Sequence, residues 1–258
     1  MTPVLVFDIE TVPDVAGLRK LGDPGLALSD AEVAESAFAA RREKTGSDFL
    51  PHHLQRIVAI SCAFRDREGF RVRSLGTPED GEPALIQSFF KVIERHTPVL
   101  VSWNGGGFDL PVLNYRALVH GVAAAKFWDM GEDDRDFKWN NYIARYHMRH
   151  TDLMDVLAMY QPRASAPLDA LAKMCGFPGK MGMDGSQVWE AFREGRIEEI
   201  RNYCETDVVN TYLLYARFQL MRGAFTQDDY AAEIDTVKRA LGAETGPQWR
   251  DYLAAFEA

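Results

Sequence analysis

Cysteine is scarce. Three residues, Cys62, Cys175 and Cys204, are spread over 258 positions. They are too widely spaced for a metal knuckle and too few for a disulfide framework. A stapled secreted mini-domain is excluded, and a reducing, cytoplasmic setting is expected, with Cys62 and Cys204 as plain buried residues. Long apolar runs are lacking as well. No stretch approaches the length that spans a bilayer. The first residues read as a strand rather than a basic segment followed by an apolar one, so neither a membrane anchor nor a signal peptide is expected. Positive charge is in deficit, with 29 Lys and Arg against 38 Asp and Glu, a net of −9. That argues against holding nucleic acid by bulk electrostatics. It leaves room for an enzyme that grips a few nucleotides while metal ions neutralise acids at its site. Repeats and low-complexity linkers are absent.

What is present is an ordinary globular composition, 47% hydrophobic and 26% charged, in a chain long enough to bury a sizeable core. The first strand, Thr2 to Thr11, is apolar on both faces through Val4, Leu5, Val6 and Phe7 and reads as central in a sheet. It ends in Asp8 and Glu10, which at i, i+2 point to the same face. Two like charges at the end of a covered strand call for a compensating cation. Asp-x-Glu also occurs at Asp30/Glu32, Asp66/Glu68 and Asp80/Glu82, but only the first pair follows an apolar β-run.

Residues 12–51 read as a helical insertion. Gly22, Pro24 and Gly25 mark a loop, and Ser29 with Glu32 forms a capping box for a helix that ends at Gly46. Strands follow near Arg56–Phe64 and Phe70–Leu75, joined at Glu68-Gly69. An amphipathic helix spans Glu82–His96. A strand over Pro98–Trp103 then runs into Asn104-Gly105-Gly106-Gly107-Phe108-Asp109, and a helix over Asp109–His120 is closed by Gly121. After His150 the pattern is helical to the end, with helices near Asp152–Tyr160, Leu168–Cys175, Ser186–Glu194 and Ile197–Met221 and one or two more in a polar tail. The expected class is α/β, a mixed sheet covered by helices with a helical C-terminal half. The expected division is 1–222 as one domain and 223–258 as a helical tail packed on it.

Two further places offer acids to the edge where Asp8 and Glu10 end. Asp109 follows a glycine turn at the start of a helix, where an N-cap is the ordinary reading of an aspartate. The triple glycine lacks the Lys-Ser/Thr of a phosphate loop. In Tyr203-Cys204-Glu205-Thr206-Asp207 the tyrosine and the last aspartate share a helix face, and an acid in that apolar stripe is costly unless paired or metal-bound.

Phe7-Asp8-Ile9-Glu10-Thr11, Asn104-x-x-x-Phe108-Asp109 and Tyr203-x-x-x-Asp207, in this order, resemble motifs I, II and III of the DEDD 3′–5′ exonucleases. The tyrosine is similar to that of the DEDDy branch. The form of the second motif resembles the proofreading domains of family-B DNA polymerases. With no polymerase module in view, the chain is similar to the free-standing bacterial predicted exonucleases related to that domain. The resemblance covers about residues 1–222 and implies an RNase H-like fold.

It further implies two-metal-ion hydrolysis of phosphodiester bonds at single-stranded nucleic acid 3′ ends, with DNA favoured over RNA and release of nucleoside 5′-monophosphates. Asp8 would bridge two ions, Glu10 and Asp207 would complete the first, and Asp109 would hold the second. Tyr203 would position the attacking water, since a group with a pKa near 10 is a poor base at neutral pH. Oxygen-only ligands point to Mg²⁺ or Mn²⁺. Thr11, Asn104 and Phe108 are candidate contacts to the terminal nucleotide.

Arg135–His150, with Lys138, Arg145 and Arg149 among Phe137, Trp139, Tyr142 and Tyr146, suits single-strand binding and equally an amphipathic helix. Lys180 reads first as a surface lysine and second as a phosphate contact, and Asp152 first as a helix cap and second as a spare carboxylate. Two alternatives stand beside the exonuclease: an inert nucleic-acid-binding module with the same fold, and an unrelated metal-dependent phosphohydrolase acting on small nucleotides. DNA replication or repair proteins are candidate partners, and the oligomeric state is open.

Overall fold

The structure, a computed structural model, describes residues 2–22 and 28–257. Five strands form one mixed sheet: β1 (Val4–Pro13), β2 (Gln55–Asp66), β3 (Gly69–Ser74), β4 (Val99–Ser102) and β5 (His150–Asp152), in the order β3-β2-β1-β4-β5. β1 is central. It pairs antiparallel with β2 and parallel with β4, and β4 pairs parallel with β5. A register shift at Glu10/Thr11 sets Glu10 opposite Ala59 and Thr11 opposite Ile57. Bulges of this kind bend a strand and re-aim its side chains.

The alternation of β1 divides the molecule. Leu5, Phe7 and Ile9 enter one core with Leu85, Ile86, Phe89 and Ile93 of α3 (Glu82–His96) and with Leu110 and Leu113 of α4 (Asp109–His120). A short helix, α5 (Ala125–Trp128), closes that side with Phe127. Val6 faces the other way. It packs with Val208, Val209, Tyr212 and Leu213 of a 25-residue helix (Ile197–Met221) and with Tyr252 near the C-terminus. Asp8 and Glu10 share the face of Val6, so the strand that buries apolar chains on both sides also delivers two acids to that long helix. Each fully buried Leu, Ile or Phe on these faces contributes about 1.5–3 kcal/mol.

The expected helices form, most within a few residues of their predicted ends. In the insertion, α1 (Val15–Lys20) precedes α2 (Asp30–Thr45), whose capping box on Ser29 and Glu32 and left-handed Gly46 are both present. Of the loop read at Gly22, Pro24 and Gly25, the last two positions lie outside the described residues. The insertion has a small core of its own, Leu18, Val33, Ala37 and Leu50. Beyond β5 come α6 (Leu153–Leu157), α7 (Leu168–Met174), α8 (Val188–Arg193), the long helix α9 (Ile197–Met221), α10 (Gln227–Ala243) and α11 (Pro247–Glu257). Tyr252 of α11 donates to Asn210 Oδ1 at 2.7 Å, and Val237, Leu241, Trp249 and Tyr252 share the core of α9. No helix among the described residues is long and apolar enough to cross a membrane.

Two expectations are corrected. The chain is not helical directly after His150, because His150–Asp152 adds a parallel edge strand. Three residues are too few to declare a period. The Arg135–His150 stretch is neither a long helix nor an open platform. Phe137 and Tyr142 are buried in the core, Arg149 lies over the Phe137 ring, and Trp139 and Tyr146 alone among its aromatics are largely exposed.

Candidate active site

Three elements bring the sequence's acids to one place. Asp8 and Glu10 come from β1. Asp109 opens α4, with Phe108 rather than Asp109 at the N-cap position. Its Oδ1 accepts from the Ile9 N–H of β1 at 3.1 Å, so the carboxylate is tied to the strand between Asp8 and Glu10 as well as to the start of its own helix. Asp207 comes from α9, which is fixed against the sheet by its own acid: Glu205 Oε1 accepts from Ser74 N–H at 2.7 Å and from Ser74 Oγ at 2.9 Å. Arg201, two turns earlier than Asp207, donates to the Gly76 carbonyl at 2.8 Å. The helix therefore cannot turn Asp207 away from β1 without losing its grip on β3.

The electrostatics are those of crowded like charges. Burial pushes the Asp8 carboxyl well up, and Asp109, Glu10 and Asp207 add to it. Glu10 is raised by burial and by Asp207, against the pull of Lys180. Burial lifts Asp109 to about 7 although backbone N–H groups oppose it. Asp207 is raised by burial and drawn back by Lys180 and Tyr203. Its Oδ1 is buried and has no hydrogen-bond partner. Oxygens of Asp8 and Glu10 and the sulfur of Cys204 lie within 4.8 Å of one another, with Cys204 Sγ 3.4 Å from Asp8 Oδ2. An orphaned carboxylate oxygen beside three further acids is a donor set for a hard divalent cation, and the residues present fit one.

Tyr203 sits one turn before Asp207, buried, and its hydroxyl accepts from Lys180. Burial and the charges of Asp207, Glu10 and Asp8 push the phenol far above its ordinary range, so it stays protonated. Lys180 is the residue that sequence reasoning set aside. Its ammonium is 3.4 Å from Asp207 Oδ2. Although burial works against its charge, Asp207, Glu10 and Asp8 hold it above the usual lysine range. Spacing could not find it, because it sits on an irregular segment 27 residues from the helical acid it meets.

The motif around Asn104 is held from β5. Asp152 caps α6, as read, through the Asp155 N–H at 3.3 Å, and it also accepts from Asn104 N–H at 2.9 Å and Gly106 N–H at 2.8 Å. Asn104 takes a left-handed φ of 65°. Gly105 is required by space, since a Cβ there would lie 2.3 Å from Ser102 Oγ and 2.5 Å from Ser102 Cβ, whereas at Gly107 a Cβ would displace only the tip of the Asn104 side chain, at 2.4 Å. A cleft of about 560 Å³ opens over Asp8 and Asp207, lined by Trp103, Asn104, Leu168 and Lys180 among others. Of the candidate nucleotide contacts, Asn104 lines this cleft. Thr11 donates its hydroxyl to Gln55 Oε1 at 3.0 Å, and Phe108 packs at 5.4 Å on Phe49 and 5.6 Å on His52; neither lines it.

With this geometry in hand, the comparisons decide the family. Residues 47–256 match the family described as predicted 3′–5′ exonucleases related to the exonuclease domain of PolB. The chain belongs to that family. As a PolB-like exonuclease it is similar to the DNA polymerase epsilon catalytic subunit of Dictyostelium discoideum, 27% identical over 146 residues, which are 54% of this chain and 6% of that protein. It is 24% identical over 136 residues to a DNA polymerase of Archaeoglobus fulgidus, covering 52% of this chain and 17% of the polymerase. The PolB-like exonuclease thus spans a small part of the polymerases it matches. In fold it is similar to the family B DNA polymerase from Pyrobaculum calidifontis, at a TM-score of 0.51 and 18% identity, over 100% of this chain and 29% of that one. The strand carrying Asp8 and Glu10 lies upstream of the matched family stretch.

Proposed function

We propose that this PolB-like exonuclease uses two divalent ions, Mg²⁺ or Mn²⁺, to remove nucleoside 5′-monophosphates from the 3′ end of single-stranded nucleic acid, DNA in preference to RNA. The observation that carries the reading is the meeting of Asp8, Glu10, Asp109 and Asp207, with an Asp207 oxygen left without a partner. Asp8, Glu10, Asp109 and Asp207 would hold the ions, which when bound activate water and neutralise charge on the phosphoryl oxygens. Tyr203, kept protonated, orients the attacking water by hydrogen bonding rather than removing its proton. Lys180, charged and beside Tyr203, faces the same cleft and offsets negative charge arriving with the phosphate. Asn104, at the cleft wall, orients the terminal nucleotide, while Thr11 and Phe108 shape the ends of the segments that carry the acids. The preference for DNA rests on the kinship with DNA polymerases.

The test uses 5′-labelled single-stranded DNA and RNA with Mg²⁺ or Mn²⁺, comparing wild type with Asp8→Ala. The expected product is a ladder shortening from the 3′ end, faster on DNA, that disappears in the variant. Degradation that survives Asp8→Ala, or that proceeds from the 5′ end, overturns the reading. Absence of turnover on either polymer points instead to a nucleic-acid-binding module that keeps the fold.

A further inference from the structure

A second cleft, also of about 560 Å³, opens on the far side of the Asn104–Gly107 turn. It shares Asn104, Met154 and Ser165 with the cleft over Asp8 and Asp207, so the two adjoin along one wall. The exposed backbone of Gly106 forms part of its lining, where a ligand meets main chain without a side chain between them.

The charged groups of this cleft are already engaged. Arg145 is paired with Asp155 at 2.8 Å. Both oxygens of Asp152 accept backbone N–H groups. His150 is bonded to Ser102 Oγ at 2.8 Å, and burial lowers its pKa to about 4, so it is neutral near pH 7. Among these lining side chains Arg145, half exposed at the rim, keeps one guanidinium nitrogen without a partner, and the others are engaged. What the walls offer is apolar surface from Leu110 and Tyr142 and the side chain of Tyr160. Behind them lies the carboxamide oxygen of Asn114, covered and without a hydrogen-bond partner. Tyr160 stands edge-on to Tyr146 at 4.9 Å, with the Arg145 guanidinium 5.2 Å above its ring.

At Met159 and Tyr160 the backbone beside the cleft takes a left-handed form that side chains of their kind rarely adopt, while asparagine at 104 tolerates it. Four non-glycine residues among those described have positive φ: Thr97, Asn104, Met159 and Tyr160. Asn104 and Tyr160 line this cleft and Met159 adjoins Tyr160. Strain of this kind persists where surrounding structure enforces it, and it clusters at ligand sites. A planar group with apolar faces and hydrogen-bonding edges suits the apolar walls of this cleft, and Arg145 at the rim is placed to meet the strand's backbone.

We propose that the second cleft receives an unstacked nucleobase of the substrate strand, from a nucleotide on the 5′ side of the 3′-terminal residue. The identity of that strand rests on the exonuclease reading; the cleft's selectivity for a base rests on its own lining. The base enters between Tyr160 and the Asn104–Gly107 turn, and the Asn114 carboxamide rotates out of the wall to accept from its edge. The phosphodiester stays in the first cleft.

The test separates binding from turnover. Anisotropy of a 5′-fluorescein single-stranded hexadeoxynucleotide is measured in EDTA. The natural oligonucleotide is compared with versions carrying a tetrahydrofuran abasic residue at the second, third or fourth position from the 3′ end. Wild type, Tyr160→Ala and Asn114→Leu are compared, and each is also assayed with Mn²⁺ on the p-nitrophenyl ester of thymidine 5′-monophosphate, which has no upstream base. One abasic position is expected to weaken wild-type binding about tenfold, the scale of one lost base contact. Both variants are expected to lose that discrimination while hydrolysing the ester at the wild-type rate. Equal wild-type affinity for every oligonucleotide, or variants that keep the full discrimination, overturns the proposal. Base-dependent binding by a protein that hydrolyses neither ester nor oligonucleotide supports the cleft and defeats the exonuclease reading.

Discussion

Two groups of buried acids meet burial in opposite ways. Glu82 and Asp14 close on Arg116. Glu82 Oε1 accepts from Arg116 Nε at 2.8 Å and Ile57 N–H at 2.7 Å, and its Oε2 lies 2.6 Å from Arg116 Nη2 and 2.7 Å from His120 Nε2. Asp14 takes the remaining Arg116 nitrogen. Every charge there finds its partner inside the protein, and the cluster ties α4 and α3 to the end of β1. Among the described residues, the acids of β1 and α9 have Lys180 as their neighbouring ammonium, Asp109 of α4 has no ion pair, and an Asp207 oxygen is left unpaired. A charge cluster that satisfies itself holds a fold together. One that does not is a place prepared for something from outside.

The largest effect that would break this contrast is on turnover and metal response. Asp207→Asn is expected to lower 3′–5′ hydrolysis by at least about 10³-fold, the scale of removing several kcal/mol of electrostatic stabilisation. Millimolar Mn²⁺ is expected to raise the thermal midpoint of wild type and much less that of the variant, since a ligand bound at a hundred times its Kd stabilises by about 2.7 kcal/mol. Equal midpoint shifts would place the ion elsewhere. Next in size, Arg116→Met strands Glu82 and Asp14. Urea unfolding is expected to show a loss of about 3–5 kcal/mol, with the specific activity of the folded fraction retained. A small loss would mean that this cluster, too, is only loosely paired.

The histidines repeat the contrast. His120 bonds a carboxylate, whereas His150 bonds a hydroxyl and is held by burial at about 4. A pKa below the unfolded value of about 6.5 means that the unfolded chain binds the proton more readily. Stability carried by neutral His150 is therefore whole above about pH 6.5. It declines as pH falls towards 4, by up to about 3 kcal/mol. His150→Gln is expected to flatten that part of a pH–stability curve. An unchanged slope would assign it to the carboxylates.

The smallest effect concerns Cys204, whose sulfur lies near Asp8. Cys204→Ala is expected to cost about 1–2 kcal/mol in unfolding as a small cavity, while Mg²⁺-supported hydrolysis stays within a few-fold. A large loss of activity would make the thiol a ligand.

These pairs also show how far the sequence could be read. Periodicity marked α2, α3, α4 and α9, because each buries one stripe over several turns. Asp8 and Glu10 stood out because acids ending an apolar strand are unusual. The Asp80/Glu82 pair did not, although Glu82 is also buried. Its partner Arg116 lies 34 residues away, and nothing local announces it. Lys180 and Asp152 were assigned to surface and cap for the same reason. Their roles arise from contacts with Asp207 and with the Asn104–Gly107 turn, and these exist only after the sheet has closed. Phe108 is a candidate contact to a base, and its half-buried ring also packs on Phe49 from the insertion, a contact that no spacing within motif II could indicate.

The candidate ligands enter the chain at positions 8, 10, 109 and 207. No stretch of polypeptide that stops short of α9 contains the whole set, and none that lacks β1 does either. A chain under synthesis, or one clipped by a protease in either half, carries an incomplete site. The candidate site is therefore complete only once α9 settles on β1, and it is lost when either is removed. Wide separation in sequence thus keeps any short fragment of the chain from carrying the whole candidate site.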